Sequence, residues 1–133
     1  WDRLADDARD ALARLSVFPG GFGRDAAAAV LGGATDPVRS LVRRSLLEAD
    51  EHRFRLLEGV RAFATEQLRA RAGTRDAEVR HGRWAARLAE AASRTELEQA
   101  RADLEVARSR AVARADDGVA DATARALDLL ARA

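Results

Sequence analysis

Residues 46–57 read Leu46-Leu47-Glu48-Ala49-Asp50-Glu51-His52-Arg53-Phe54-Arg55-Leu56-Leu57. Two short runs, 46–49 and 53–57, flank the polar turn Asp50-Glu51-His52. Phe54 and Leu56 alternate with Arg53 and Arg55 at the period of two that turns one set of side chains toward a core. The spacing predicts a β-hairpin. Because the flanking sequence on both sides reads as helix, the place of this hairpin in the order of elements decides the fold.

Upstream, a helix is expected over 2–15, with Leu4, Ala8, Ala11, Leu12 and Leu15 on one face and Asp6, Asp7, Arg9 and Asp10 opposite. Ser16-Val17-Phe18-Pro19-Gly20-Gly21-Phe22-Gly23 turns the chain, and Gly23 can cap a short helix over 24–31 that Gly32 and Gly33 stop. Asp36-Pro37 opens a third helix, the aspartate capping free N–H groups and the proline standing where its missing N–H costs nothing. That helix runs to about Ser45.

Downstream of the hairpin, a helix over 58–72 carries the stripe Val60, Phe63, Ala64 and Leu68 and stops at Gly73. Thr74 is read as the cap of a helix to about Ser93, with Ala77, His81, Trp84, Ala85, Leu88 and Ala92 along one side. Thr95-Glu96-Leu97-Glu98 fits a capping box opening a helix to about Ala115. Asp116-Asp117-Gly118 turns into a last helix over 119–132, striped by Val119, Ala122, Ala126, Leu129 and Leu130.

Three helices, a hairpin and a further helix are the order of a winged helix. The expected fold is therefore mainly α: a winged-helix domain over 1–73, then an antiparallel, helical-repeat-like segment over 74–133. Repeat units bury their faces on their neighbours. Since the chain also opens on Trp1 inside a helical pattern and contains no methionine, it is expected to be a piece of a longer protein, with repeats continuing beyond Ala133.

Composition narrows the chemistry. Of 133 residues, 47% are hydrophobic, many of them alanine, and six are aromatic, so the core should consist of closely approached helices with few large anchors. No apolar run approaches the ~20 residues that span a bilayer and no apolar signal segment stands at the start, so a soluble, cytoplasmic protein is expected. The absence of cysteine excludes disulfides, thiolate zinc sites and a cysteine nucleophile. His52 and His81 are too few for a histidine metal site. His52 reads as a solvated hairpin residue and His81, on an apolar stripe, as a hydrogen-bonded core or interface histidine. The five serines, Ser16, Ser40, Ser45, Ser93 and Ser109, lie outside any strand-turn-helix elbow. The glycine-rich stretch 19–23 cannot be a Walker loop in a chain without lysine; it reads as a turn whose Phe18 and Phe22 pin helix ends to the core. No enzyme activity and no cofactor are expected of this chain.

Charge is high and balanced, 23 basic against 22 acidic residues, and every basic residue is arginine. Residues 1–73 carry 12 arginines against 11 carboxylates and residues 74–133 carry 11 of each, so neither half has the one-signed surplus of a dedicated nucleic-acid binder. DNA contact is nonetheless the main alternative. The third helix offers Arg39, Arg43 and Arg44 and the wing adds Arg53 and Arg55, set against Asp36, Glu48, Asp50 and Glu51 in the same region. A further alternative uses Trp84 and the alanine-rich helical faces as a surface for a partner protein.

Three stretches carry a resemblance: Leu15-Ser16-Val17-Phe18-Pro19-Gly20-Gly21-Phe22; Leu41-Val42-Arg43-Arg44-Ser45-Leu46-Leu47; and Arg53-Phe54-Arg55-Leu56-Leu57-Glu58-Gly59-Val60-Arg61-Ala62-Phe63-Ala64. In this order they resemble the arm that follows the nucleotide-binding domain in bacterial STAND signal-transduction ATPases, some of which regulate transcription. Arg80-His81-Gly82-Arg83-Trp84-Ala85 is similar to the start of the tetratricopeptide-like repeats that follow there. The resemblance implies a non-catalytic coupler. Its partners would be an upstream ATPase domain holding ATP or ADP, the downstream repeats, and an effector protein. Related apoptosome and plant resistance ATPases place Met-His-Asp at the end of the hairpin, the histidine touching the ADP phosphate. Leu56, Leu57 and Glu58 stand at those positions here. A leucine cannot donate to phosphate, so the resemblance implies coupling through packing at Leu57, Glu58 and Arg61.

Overall fold

The computed structural model describes residues 6–33 and 35–132. Its elements are α1 (Asp6–Leu15), α2 (Arg24–Leu31), α3 (Asp36–Arg43), β1 (Leu47–Ala49), β2 (Phe54–Leu56), α4 (Glu58–Ala70), α5 (Thr74–Ala91), α6 (Arg94–Gln99), α7 (Arg101–Ala113) and α8 (Asp117–Ala131). The chain divides into two compact units, residues 1–77 and 78–133.

In the first unit α1 is the central element, packed by α2, α3 and α4. Its Ala8, Ala11, Leu12, Ala13 and Leu15 are buried, as the spacing predicts; the stretch 2–5 of the expected helix, with Leu4, lies outside the described residues. Helix α2 has the expected bounds because glycine stands at both ends: Gly23 is extended at its start and Gly32 takes the left-handed conformation at its close, with φ 73°. The turn between α1 and α2 holds two fully buried rings, Phe18 and Phe22, stacked with centroids 4.7 Å apart.

Strands β1 and β2 pair antiparallel in the register Leu47 with Leu56, Glu48 with Arg55 and Ala49 with Phe54. Leu47 and Leu56 are buried while Glu48 and Arg55 face out. The glycine-rich turn joins the outer side of β2. Phe22 and Phe54 exchange backbone hydrogen bonds of 2.9 and 2.8 Å, and the Arg53 guanidinium donates to the Gly21 carbonyl at 2.6 Å. A Cβ on Gly21 would lie 3.3 Å from the Phe54 carbonyl, so any larger residue there would push the two backbones apart by a few tenths of an ångström.

Several boundaries differ from expectation, each for a local reason. Asp36 is the first residue of α3 and does not cap it; Thr35 holds the cap position without a side-chain hydrogen bond. The helix ends at Arg43, short of Ser45, because Ser45 turns left-handed with φ 61°. There Ser45 N–H donates to Val42 and Leu46 N–H to Leu41, the two bonds of a Schellman stop. Ala72, with φ 56°, stops α4 in the same way, Ala72 N–H donating to Arg69 and Gly73 N–H to Leu68. On α4 the buried residues are Ala64 and Leu68, whereas Phe63, expected on the same stripe, is 43% exposed. One residue of helix turns a side chain by about 100°, which takes Phe63 off the face that Ala64 shares with Leu68. Arg14 bridges Asp10 at 3.0 Å and Asp76 at 2.7 Å, tying α1 to the start of α5.

The second unit is built on the pair α7 and α8. Ala85, Leu97, Leu104, Ala107, Ala126 and Leu130 form its core, with Trp84, Ala89, Ala92 and Leu127 packed against them. Leu129, expected on the buried stripe, is 45% exposed. Within the core His81 and Asp103 are both buried, His81 Nε2 lying 2.9 Å from the carboxylate, which gives the expected core histidine its partner. Thr123, also buried, donates to the Val119 carbonyl at 2.7 Å.

The capping box is Ser93 with Glu96, in place of the expected Thr95 with Glu98. Ser93 Oγ accepts from the Glu96 N–H at 3.3 Å and the Glu96 carboxylate accepts from the Ser93 N–H at 3.1 Å. Both tetrapeptides fit the pattern, and the earlier one brings Leu97 into the core. Those hydrogen bonds, the backbone N–H of Ser93 first, hold the Glu96 carboxyl below its ordinary pKa. The single helix expected to about Ala115 is two, α6 and α7, interrupted at Ala100; α7 closes with Ala115 left-handed at φ 60°. Asp116 caps α8 by accepting from the Val119 N–H at 3.3 Å, so α8 begins before Val119. That bond, with the adjacent Arg114, lowers the Asp116 pKa. At the far end of the unit the Arg94 guanidinium donates to the carbonyls of Leu129, Leu130 and Arg132, satisfying the last carbonyls of α8.

Candidate functional site

The five arginines proposed for DNA contact fall into two groups. Arg39, Arg43 and Arg44 are exposed, and among the described residues their guanidinium groups have neither hydrogen bond nor ion pair. Burial of Val38 and Leu41 sets the rotation of α3, and Arg39 and Arg43, four residues apart, project from the opposite face. Asp36 and Ser40 share that face, so it is cationic with one carboxylate at its start.

The wing is different. Arg53 is half-buried and committed to the Gly21 carbonyl. Arg55 pairs across the hairpin with Glu48 at 2.7 Å, and the hydrogen bond and charge of that carboxylate raise its pKa. The rest of the exposed wing is Asp50, Glu51 and His52, with His52 Nε2 4.0 Å from the Glu51 carboxylate. The wing tip is therefore acidic with its arginines already partnered.

The residues assigned to interdomain coupling meet at the start of α4. Leu57 occupies the N-cap position in extended backbone, half-buried and without a side-chain cap; Glu58 is exposed in the first turn. Arg61 is half-buried, its guanidinium donating to the Phe18 carbonyl, so it also locks the glycine-rich turn onto α4. Leu57, Glu58 and Arg61 line one open cleft with Pro19, Gly20 and Leu56. Exposed Phe63 lies on the same helix.

The Ser16 hydroxyl donates to the Ala13 carbonyl at 2.6 Å and that of Ser93 caps α6. Among the described residues no group of three histidine, cysteine or carboxylate side chains could hold a metal ion, and no helix is long and apolar enough to cross a membrane. Sequence reasoning passed over Arg24, which is exposed in the first turn of α2 and lines a groove with Arg39. Its position just after Gly23, at a helix start, was the available signal.

Residues 4–69 match the family model of the winged helix-turn-helix domain. That span takes in α1 to the last turn of α4, so the helices and hairpin of the first unit are those of a winged helix-turn-helix domain. No curated protein and no solved structure matched the chain.

Proposed function

We propose that this winged helix-turn-helix domain and the helices after it form a non-catalytic coupling module of a bacterial, cytoplasmic STAND-type ATPase. On this reading it relays nucleotide state to helical repeats through protein contacts. ATP or ADP would be held by an ATPase domain elsewhere, and the contact to that domain would be made by packing at Leu57, Glu58 and Arg61. The observation that carries the reading is the condition of the wing. Arg53 and Arg55 are both partnered internally and Glu48, Asp50 and Glu51 are exposed, so the wing repels a phosphate backbone and suits a protein surface.

The test is nucleotide turnover in a protein that carries the ATPase domain, with Leu57→Asp and Phe63→Ala compared with wild type. Aspartate is a better N-cap than leucine, so Leu57→Asp keeps α4 while removing the apolar contact. Altered turnover or loss of autoinhibition is expected. Turnover and autoinhibition unchanged in both folded variants would rule the coupling role out.

One observation favours a second reading, DNA contact through α3 alone: Arg39, Arg43 and Arg44 are exposed and without side-chain partners among the described residues. Three phosphate contacts predict a slope of about −3 in log affinity against log salt, abolished when all three become alanine. Fluorescence anisotropy with mixed-sequence duplex at low salt measures it, and absence of binding there would exclude even non-specific contact.

A further inference from the structure

We propose that the groove between α2, α3 and the hairpin docks an acidic peptide segment of a partner protein, which inserts one apolar side chain. The floor of the groove is Ala27, Val38, Val42 and Phe54, from all three elements. Ala27 and Val38 are buried, while Val42 and Phe54 are half-exposed and reachable from outside. On the rim stand Arg24 and Arg39 with Thr35 and Asp36.

Size decides the kind of occupant. The groove holds about 190 Å³, below the ~300–1,000 Å³ of sites that enclose a small molecule or cofactor. It is room for one side chain of something larger. The rim then decides the flanking chemistry. Arg24 and Arg39 are exposed, and among the described residues neither guanidinium has a partner, whereas the wing arginines Arg53 and Arg55 both do. The rim carboxylate, Asp36, sits in the first turn of α3 at the positive end of the helix dipole. Carboxylates beside the inserted side chain would therefore meet two unpaired cations above an apolar floor.

A nucleic acid would use Arg39 as well, but its phosphates cannot fill the floor formed by Val42 and Phe54. The groove is also distinct from the Leu57 cleft, so its occupancy does not depend on ATPase coupling. Leu57→Asp and Phe63→Ala variants that both fold and leave turnover and autoinhibition unchanged would sink that reading and leave this one standing.

The experiment pans the whole chain against displayed random peptides and maps the enriched ones by amide chemical shifts. The expected consensus is one leucine, isoleucine or phenylalanine flanked by aspartate or glutamate, with shifts centred on Ala27, Val42 and Phe54. Arg24→Ala combined with Arg39→Ala should weaken binding about fivefold, and replacing the apolar peptide residue by asparagine should remove the shifts at Val42 and Phe54. No enrichment, a consensus without acidic residues, or shifts centred elsewhere would overturn the proposal. So would an oligoglutamate or DNA duplex that binds as tightly as the selected peptides, since the rim would then be a polyanion surface.

Discussion

The two units hold themselves together by different means. Among the largest fully buried side chains, the first unit contributes Phe18, Phe22, Leu12, Leu15, Leu41 and Val30, all apolar and two of them aromatic. The second contributes Leu97 and Leu104 together with His81 and Thr123. The second unit contains no phenylalanine, and within its core the buried pair His81 and Asp103 ties α5 to α7. A core with aromatic anchors needs no such pair. The difference teaches that a nearly uniform composition along the chain, with charges balanced in both halves, supports one core specified by shape and another specified partly by hydrogen bonding.

The sharpest way to break this contrast is to remove an anchor. Phe22→Ala should cost the first unit about 3–5 kcal/mol through lost burial and the cavity left behind. Amide hydrogen exchange should show protection falling across α1 to α4 while α7 and α8 retain theirs. Loss of protection in both units together would mean that they do not differ as independent cores.

A smaller effect is expected from the buried pair. Asp103→Ala leaves His81 without its carboxylate and should destabilise the second unit by about 2–3 kcal/mol, with Asp103→Asn, which keeps a hydrogen-bonding group, costing less. Urea unfolding followed by Trp84 fluorescence reads it. If Asp103→Ala unfolds at the wild-type midpoint, hydrogen bonding does not specify that core.

The smallest effect tests what the units share. Ala72 and Ala115 each close a helix in the left-handed conformation, where a Cβ is strained. Ala72→Gly and Ala115→Gly should each stabilise by about 0.5–1 kcal/mol, visible as a raised Tm. An unchanged or lowered Tm for both would show that the entropy of glycine in the unfolded chain outweighs the relief of strain.

Those two alanines also show where the sequence stopped being legible. Glycine marks a left-handed stop, so the bounds of α2 could be read from Gly23 and Gly32, whereas Ser45, Ala72 and Ala115 carry no such mark and the helix ends before them were placed too late. Ser93 and Thr95 head overlapping tetrapeptides with the same capping pattern, and tertiary burial of Leu97 chooses between them. At the candidate site, the exposure of Arg39 and Arg43 followed from the spacing of Val38 and Leu41. The pairing of Arg55 with Glu48 was implicit in the hairpin register. The commitment of Arg53 was not, because Gly21 lies on a different element, far away along the chain.

That link between the glycine turn and the wing makes the first unit a closed circuit. The backbone exchange between Phe22 and Phe54, reinforced by Arg53, closes a ring of chain that runs through α2, α3 and β1. The helix-turn-helix is consequently not a detachable cassette. A fragment that ends before Phe54, or a graft that carries α2 and α3 alone, opens the ring and forfeits the pairing of Phe22 with Phe54.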